Sequence, residues 1–257
     1  MLLVIDFGNT NVVFAVSDGD EIKGSWRCAS NTKRTADEYA VWLSQLMSLE
    51  DIRLGDITGV IVASVVPQAL FNIDTLCQRY FKVAPMVVGA ENVNLGIEVI
   101  FDRPSQIGAD RLATAVAAHK KYKGPLVVID FGTATTFEVV DANGNYHGGV
   151  IAPGINLSAE ALHMASAQLP RIEIRSTKDI VGKTTVAAMR SGIFWGYIGM
   201  IEGLVTRIKR ERGQDMTVVA TGGLAPLFAE STDMIDETDS NLTVRGLIEI
   251  YERNKPS

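Results

Sequence analysis

Two short segments carry the residue types that can hold a phosphate chain. Residues 3–16 read LVIDFGNTNVVFAV and residues 127–140 read VVIDFGTATTFEVV. At an offset of 124 they share Val4/Val128, Ile5/Ile129, Asp6/Asp130, Phe7/Phe131, Gly8/Gly132 and Val16/Val140. In each, an apolar β-branched run suits a buried strand. It ends in Asp-Phe-Gly and a turn of small polar residues, and a second β-branched run returns as the other arm of a hairpin. The Gly and Asn/Thr residues leave backbone N–H groups and hydroxyls at the turn for phosphate oxygens, and the adjacent carboxylate can hold a bound cation through water. One such segment alone reads as a plain hairpin with Gly at its turn. Two copies, both carrying the Asp, point to phosphate.

A second constellation is Gly108-Ala109-Asp110-Arg111. Asp110 in the first turn of a helix is ordinary start chemistry, favoured by the macrodipole, but an adjacent Arg is disfavoured there. Beside a phosphate site the carboxylate can accept a proton from an alcohol, and the guanidinium can bind a substrate carboxylate or a transferring phosphoryl group. Other patterns fall away. Val181-Gly182-Lys183-Thr184-Thr185 looks like the end of a phosphate-binding P-loop, but position 177, where its first glycine belongs, is Thr. No GxGxxG occurs, and His119, His147 and His163 form no metal-ligand pattern.

The elements that must position these residues alternate. Helical spacing of apolar residues predicts helices at 36–49, 71–80, 109–122, near 157–168, 185–212, from Leu224, and at 242–253. Strands are expected at 59–66, 86–88, 146–151 and 216–220, and 230–240 reads as an acidic surface loop. Glycines at 192, 196, 199 and 203 suggest that the long helix packs closely against another. The repeat offset is close to half of 257 residues, so the chain reads as an α/β protein of two related mixed-sheet halves, 1–117 and 118–257, facing each other across a cleft.

With 47% hydrophobic and 21% charged residues, the composition is that of an ordinary globular protein, not of a disordered chain or a disulfide scaffold. Lys+Arg number 24 against 30 Asp+Glu, a net charge of −6, and no basic patch or helix-turn-helix invites nucleic acid. The alternating charges of 207–212 read as a solvated helix face. No apolar stretch reaches the roughly 20 residues of a membrane span, and MLLVIDFG lacks the basic start of a signal peptide. Two cysteines, Cys28 and Cys77, without ligand spacing suit a reducing cytoplasm.

Taken in order, these segments resemble a known family. The two DxG turns resemble those of the actin, sugar-kinase and heat-shock ATPase superfamily, and the chain more closely resembles type III pantothenate kinases. The resemblance runs through DFGNTN (Asp6–Asn11), SVVP (Ser64–Pro67), GADR (Gly108–Arg111), DFGTATT (Asp130–Thr136), GGVIAPG (Gly148–Gly154), GKTT (Gly182–Thr185) and TGG (Thr221–Gly223). It implies a duplicated actin-like ATPase (ribonuclease H-like) fold with a nucleotide cleft. It also implies phosphorylation of the primary hydroxyl of pantothenate by ATP, the first step of coenzyme A synthesis. By resemblance, Asp6, Phe7, Gly8, Asn9, Thr10, Asn11, Val12 and Val13 contact ATP together with Thr133, and the Thr221–Gly223 turn lies near adenosine. Asp110 is the proton acceptor, and Gly108, Ala109, Asp110, Arg111 and Phe101 hold pantothenate. Asp130 matches the ligand of a required potassium or ammonium ion, with Mg²⁺ accompanying ATP. The resemblance further implies a homodimer in which a threonine of the partner subunit reaches the substrate, a role that Thr185 matches, with Thr184 as its neighbour.

Three competing readings share the turns. A sugar or acetate kinase would use another acceptor, although GADR and GGVIAPG fit pantothenate better. An exopolyphosphatase would activate water and release phosphate with no organic acceptor. A regulatory ATP-binding module would bind nucleotide without turnover.

Overall fold

The N-terminal apolar run forms β1, Leu2–Phe7, and its two faces meet two different helical layers. Leu3, Ile5 and Phe7 pack into one core and Leu2 and Val4 into another, which explains a run of apolar residues without polar alternation. In this computed structural model, which describes residues 1–165 and 169–255, the chain forms two units. The first unit continues with β2 (Asn11–Asp18), β3 (Glu21–Ala29), α1 (Ala36–Ser48), β4 (Gly59–Ser64), α2 (Leu70–Leu76), β5 (Met86–Val87) and the greater part of α3 (Ala109–Tyr122), whose residues from Ala118 on fall in the second unit. Its strands lie in the order β3-β2-β1-β4-β5, with β1 antiparallel to β2 and parallel to β4. Tyr39, Leu43 and Met47 of α1 and Ile73 and Leu76 of α2 cover one face. Each such fully buried side chain contributes roughly 1.5–3 kcal/mol. Helix α1 starts at a capping box in which Thr35 Oγ1 accepts from Glu38 N–H and Glu38 accepts from Thr35 N–H at 2.8 Å. Helix α2 runs on into a π-turn over Cys77–Phe81.

The second unit, Ala118–Asn241, holds β6 (Leu126–Phe131), β7 (Ala134–Val140), β8 (Tyr146–Pro153), α4 (Ile155–Met164), α5 (Thr185–Arg212), β9 (Thr217–Gly222), α6 (Ala225–Ala229) and β10 (Glu237–Thr238). Its strand order, β10-β9-β6-β7-β8, is that of the first sheet read from the other edge. The duplication is therefore present in topology as well as in sequence. The copies differ by one residue at the turn. Asp6 pairs with Val13 but Asp130 with Thr136, so the offset of 124 along β1 and β6 falls to 123 along β2 and β7. Val16 thus corresponds to Val139 rather than to Val140, and Phe14 corresponds to Phe137.

Four other expectations change. The final helix, α7 (Leu242–Asn254), packs with the first unit instead of with 118–241. Its Gly246 backbone lies so close to the Ala113 carbonyl on α3 that a Cβ there would overlap it. The acidic segment 230–240 contains β10, which pairs parallel to β9. The helix expected near 157–168 starts earlier, at Ile155, and its expected last residues, 166–168, lie outside the described residues. Among the described residues, three of the four glycines in the α5 row have no close neighbour. A Cβ at Gly192, Gly196 or Gly199 would meet nothing within 4 Å, whereas Phe194, Tyr197, Ile201 and Val205 on the opposite side are buried. Among the described residues, no helix is long and apolar enough to cross a membrane.

Candidate active site

In the first unit the turn between β1 and β2 is closed by Gly8 N–H donating to Asn11 O at 3.0 Å. Asn9, Thr10 and Asn11 are exposed, and Asp6 is half-buried at the end of β1. Phe7 and Val12 point their side chains into the core, so what these two offer a ligand is main chain. The backbone of Val65, in the SVVP segment, carries the connection onward. Its N–H donates to Phe7 O at 3.1 Å. Its Cγ1 lies 3.2 Å from where a Cβ on Gly108 would stand. The phosphate-type turn and the GADR segment are thus held against the same residue.

Helix α3 begins at Ala109, whose side chain is in the core, with Asp110 and Arg111 half-buried beside it. Asp110 Oδ1 accepts the Arg111 N–H at 2.9 Å, which fixes the carboxylate's rotation. The same oxygen occupies the space that a side chain on Gly108 would need. One turn on, Thr114 Oγ1 donates to Asp110 O at 2.8 Å and meets Thr243 Oγ1 of α7 at 3.0 Å, so the terminal helix buttresses this helix start. Phe101 lies in the long loop before α3 and is 40% exposed.

In the second unit Asp130 stands half-buried at the end of β6, paired with Thr136 on β7 and Thr221 on β9. Paired residues of adjacent strands share a face, so a carboxylate lies between two hydroxyl-bearing residues. The Thr136 Oγ1 is buried and has no hydrogen-bond partner among the described residues. A single carboxylate with a spare buried hydroxyl is an oxygen donor set that fits a hard cation of low charge. Among the described residues no group of three or more His, Cys, Asp or Glu comes together. Asp130 Oδ1 also lies 2.8 Å from where a side chain on Gly222 would begin. Thr133 is exposed at the turn, where Gly132 N–H donates to Ala134 O at 3.0 Å and Gly154 N–H to Thr133 O at 3.2 Å.

At the start of α5, Thr184 is the cap: its Oγ1 accepts the Ala187 N–H at 3.2 Å. Thr185 is exposed in the first turn and takes no part in that cap. Sequence reasoning missed Val65 as a link and Thr136 as a spare donor. It also missed Tyr197, whose hydroxyl donates to Pro153 O at 2.5 Å and lies 2.6 Å from Thr135 Oγ1 behind the second turn. Of these, Val65 and Thr136 lay in segments already singled out, whereas Tyr197 did not.

Two sheets of one topology, each ending in a DFG turn, have the actin-like ATPase fold found among sugar kinases. A solved Sinorhizobium meliloti protein described as a 2-dehydro-3-deoxygalactonokinase superposes with a TM-score of 0.61 at 13% identity, covering 100% of this chain and 98% of the other. A Campylobacter jejuni protein described as a Baf family transcriptional activator gives 0.62 at 19% identity, over 98% of each chain. Within that fold the sequence is more specific. The model of the type III pantothenate kinase family matches residues 2–207. A type III pantothenate kinase of Paramagnetospirillum magneticum is 63% identical over 99% of this chain and 98% of its own. The chain belongs to the type III pantothenate kinase family.

Proposed function

We propose that Asp110 is the proton acceptor in the reaction that goes with this family: the chain is a kinase that phosphorylates pantothenate with ATP to 4′-phosphopantothenate, the first step of coenzyme A synthesis. The observation that carries the activity is the 63% identity along 99% of the chain. In the reaction the primary hydroxyl oxygen of pantothenate bonds to the γ-phosphorus, the bond from that phosphorus to the bridging oxygen breaks, and ADP leaves. The hydroxyl proton passes to the Asp110 carboxylate, whose rotation is set by the Arg111 N–H. Gly108, Ala109, Arg111 and Phe101 hold the pantothenate, with Arg111 facing its carboxylate. Ala109 does so through its main chain.

The turn from Asp6 to Val13 grips the ATP phosphates, with Thr133 contributing from the second copy. Charge stabilisation and positioning account for most of such a transfer. Mg²⁺ travels with ATP. A potassium or ammonium ion would be held by Asp130 with Thr136 Oγ1, a reading supported by that buried, unpartnered hydroxyl; when bound, it supplies positive charge near the transferring phosphoryl group. The protein works as a homodimer in which Thr185 of one subunit reaches the other's substrate. Support for this comes from the exposed glycine row of α5 and from Thr184 being engaged as the cap. The setting is cytoplasmic, in keeping with two cysteines that form no disulfide.

The test is ADP release from Mg²⁺-ATP with and without pantothenate, in sodium and in potassium buffer. Release that needs both pantothenate and potassium is the expected result. Release with pantothenate in both buffers would remove the cation role of Asp130, and release without pantothenate would remove the kinase assignment.

A further inference from the structure

The third strand of each sheet ends against the turn, and there the two copies differ. Ala29 of β3 pairs with Asn11, and Pro153 of β8 pairs with Ala134, so the residues that follow, Ser30 and Gly154, occupy the same place in the two sheets. Both use their backbone alike: Ser30 N–H donates to Thr10 O at 2.9 Å and Gly154 N–H to Thr133 O at 3.2 Å. Beyond that they part. At Gly154 the turn carbonyls fill the space of a side chain, with Gly132 O 2.7 Å from where its Cβ would stand. In the first unit that space holds the Ser30 hydroxyl, and its Oγ donates to Gly8 O at 2.5 Å.

This geometry dictates where the turn's donors point. In a trans peptide plane the carbonyl of one residue and the N–H of the next point in opposite directions. Tying Gly8 O and Thr10 O back to Ser30 therefore turns the Asn9 and Asn11 N–H groups away from it. Asn9 and Asn11 are exposed, so this side of the turn is open to a ligand. We propose that Ser30 is a positioning residue for phosphate binding: its hydroxyl and N–H hold the carbonyl side of the turn so that the opposite, N–H side is preset for the ATP phosphates. The proposal rests on the reading of Asp6–Val13 as the phosphate turn. Ser30 touches no phosphate itself, and no feature of its own segment marks it.

The experiment compares Ser30→Ala and Ser30→Thr with the unaltered full-length protein. It measures calorimetric affinities for Mg²⁺-ATP and for adenosine, with steady-state KM and kcat for both substrates. Loss of one hydrogen bond at the turn should weaken ATP binding by about five- to tenfold. Adenosine affinity and the KM for pantothenate should not move, and Ser30→Thr, which keeps the hydroxyl, should restore ATP binding. A merely structural role would lower adenosine and ATP affinity together. That result, or unchanged ATP affinity in Ser30→Ala, overturns the proposal. Ser30→Gly, which copies Gly154 and keeps the backbone bond, gives the same reading should the alanine variant fold poorly. Asp6→Asn separates the two levels: if it weakens ATP and Ser30→Ala does not, only the role of Ser30 falls. If neither does, the phosphate-turn reading itself is wrong.

Discussion

Replacing Gly154 by alanine should displace the second turn, and the size of the effect follows from its surroundings. The backbone at Gly154 has φ −64° and ψ 152°, a conformation alanine adopts readily, so the cost is steric alone. The new Cβ would stand 2.7 Å from Gly132 O and 2.8 Å from the Thr133 carbonyl carbon, with Thr133 O closer still, against ordinary contact from 3.4 Å. Gly154 cannot retreat, because its carbonyl accepts from Ser158 N–H at 2.9 Å and from Ser158 Oγ at 3.1 Å at the start of α4. Overpacking of this kind costs about 1–3 kcal/mol. Breaking the Gly154–Thr133 backbone bond adds about 1 kcal/mol. Together these make roughly 2–4 kcal/mol, a fall in Tm of roughly 5–15 °C for a chain of this size. Gly132→Ala is the control, since its Cβ would meet Ala134 O at 3.5 Å and Asp130 Oδ1 at 3.9 Å, both ordinary contacts. Its stability should stay within about 1 kcal/mol. Thermal and urea denaturation of both variants provide the measurement. Equal midpoints for the two alanines would refute the account of the turn.

Three further outcomes are expected. Asp110→Asn should lower kcat by roughly 10²–10⁴ while ATP affinity stays intact, and turnover within a few-fold of the unaltered enzyme would remove the base assignment. Asp130→Asn should raise the potassium concentration needed for half-maximal activity, and an unchanged titration would move the cation elsewhere. Burial pushes the Cys77 thiol up to about 12, so it stays protonated at pH 8. It should resist thiol reagents until the protein unfolds, and rapid native labelling of Cys77, read by mass spectrometry, would contradict the packing of α2.

Much of this fold was legible because its signals are local. The runs Leu3–Ile5 and Val127–Ile129 announce buried strands by their residue types, and α3 and α5 have the expected bounds. What was not legible depends on distance or on length within a polar turn. An extra residue between Gly8 and Asn11 leaves both arms of the hairpin apolar, and the adjacent valines at 139 and 140 let an unshifted alignment look complete. Helix α7 could be placed only by knowing that Gly246 meets Ala113, far back in the chain. The glycines of α5 carry no mark that says whether their face meets a neighbour or open space. Among the candidate residues, Asp6, Asp110 and Asp130 stood out by motif. Thr136 gained meaning only from its register with Asp130 and its unpartnered hydroxyl.

If the first turn holds phosphate and the second a cation, as proposed above, the one-residue difference between the turns gives one duplicated hairpin two chemistries. In the first copy the longer turn spans three residues between strands, and its carbonyls are drawn back by the hydroxyl and N–H of Ser30. On the proposed reading that arrangement leaves the N–H side of the turn to a phosphate chain. In the second copy two residues join the strands, and the turn closes down on a glycine. The buried Tyr197 hydroxyl locks it from behind: having donated to Pro153 O, it can only accept from Thr135 Oγ1. A tight, locked turn offers fewer donors and leaves the carboxylate of Asp130 and the threonine at its side as the chemically prominent groups. Had the copies kept equal turns, both would present the same donors to the same kind of ligand. Their divergence lies in the length of the turn and in the backing residues, Ser30 against Gly154 and Tyr197, and not in the shared Asp-Phe-Gly.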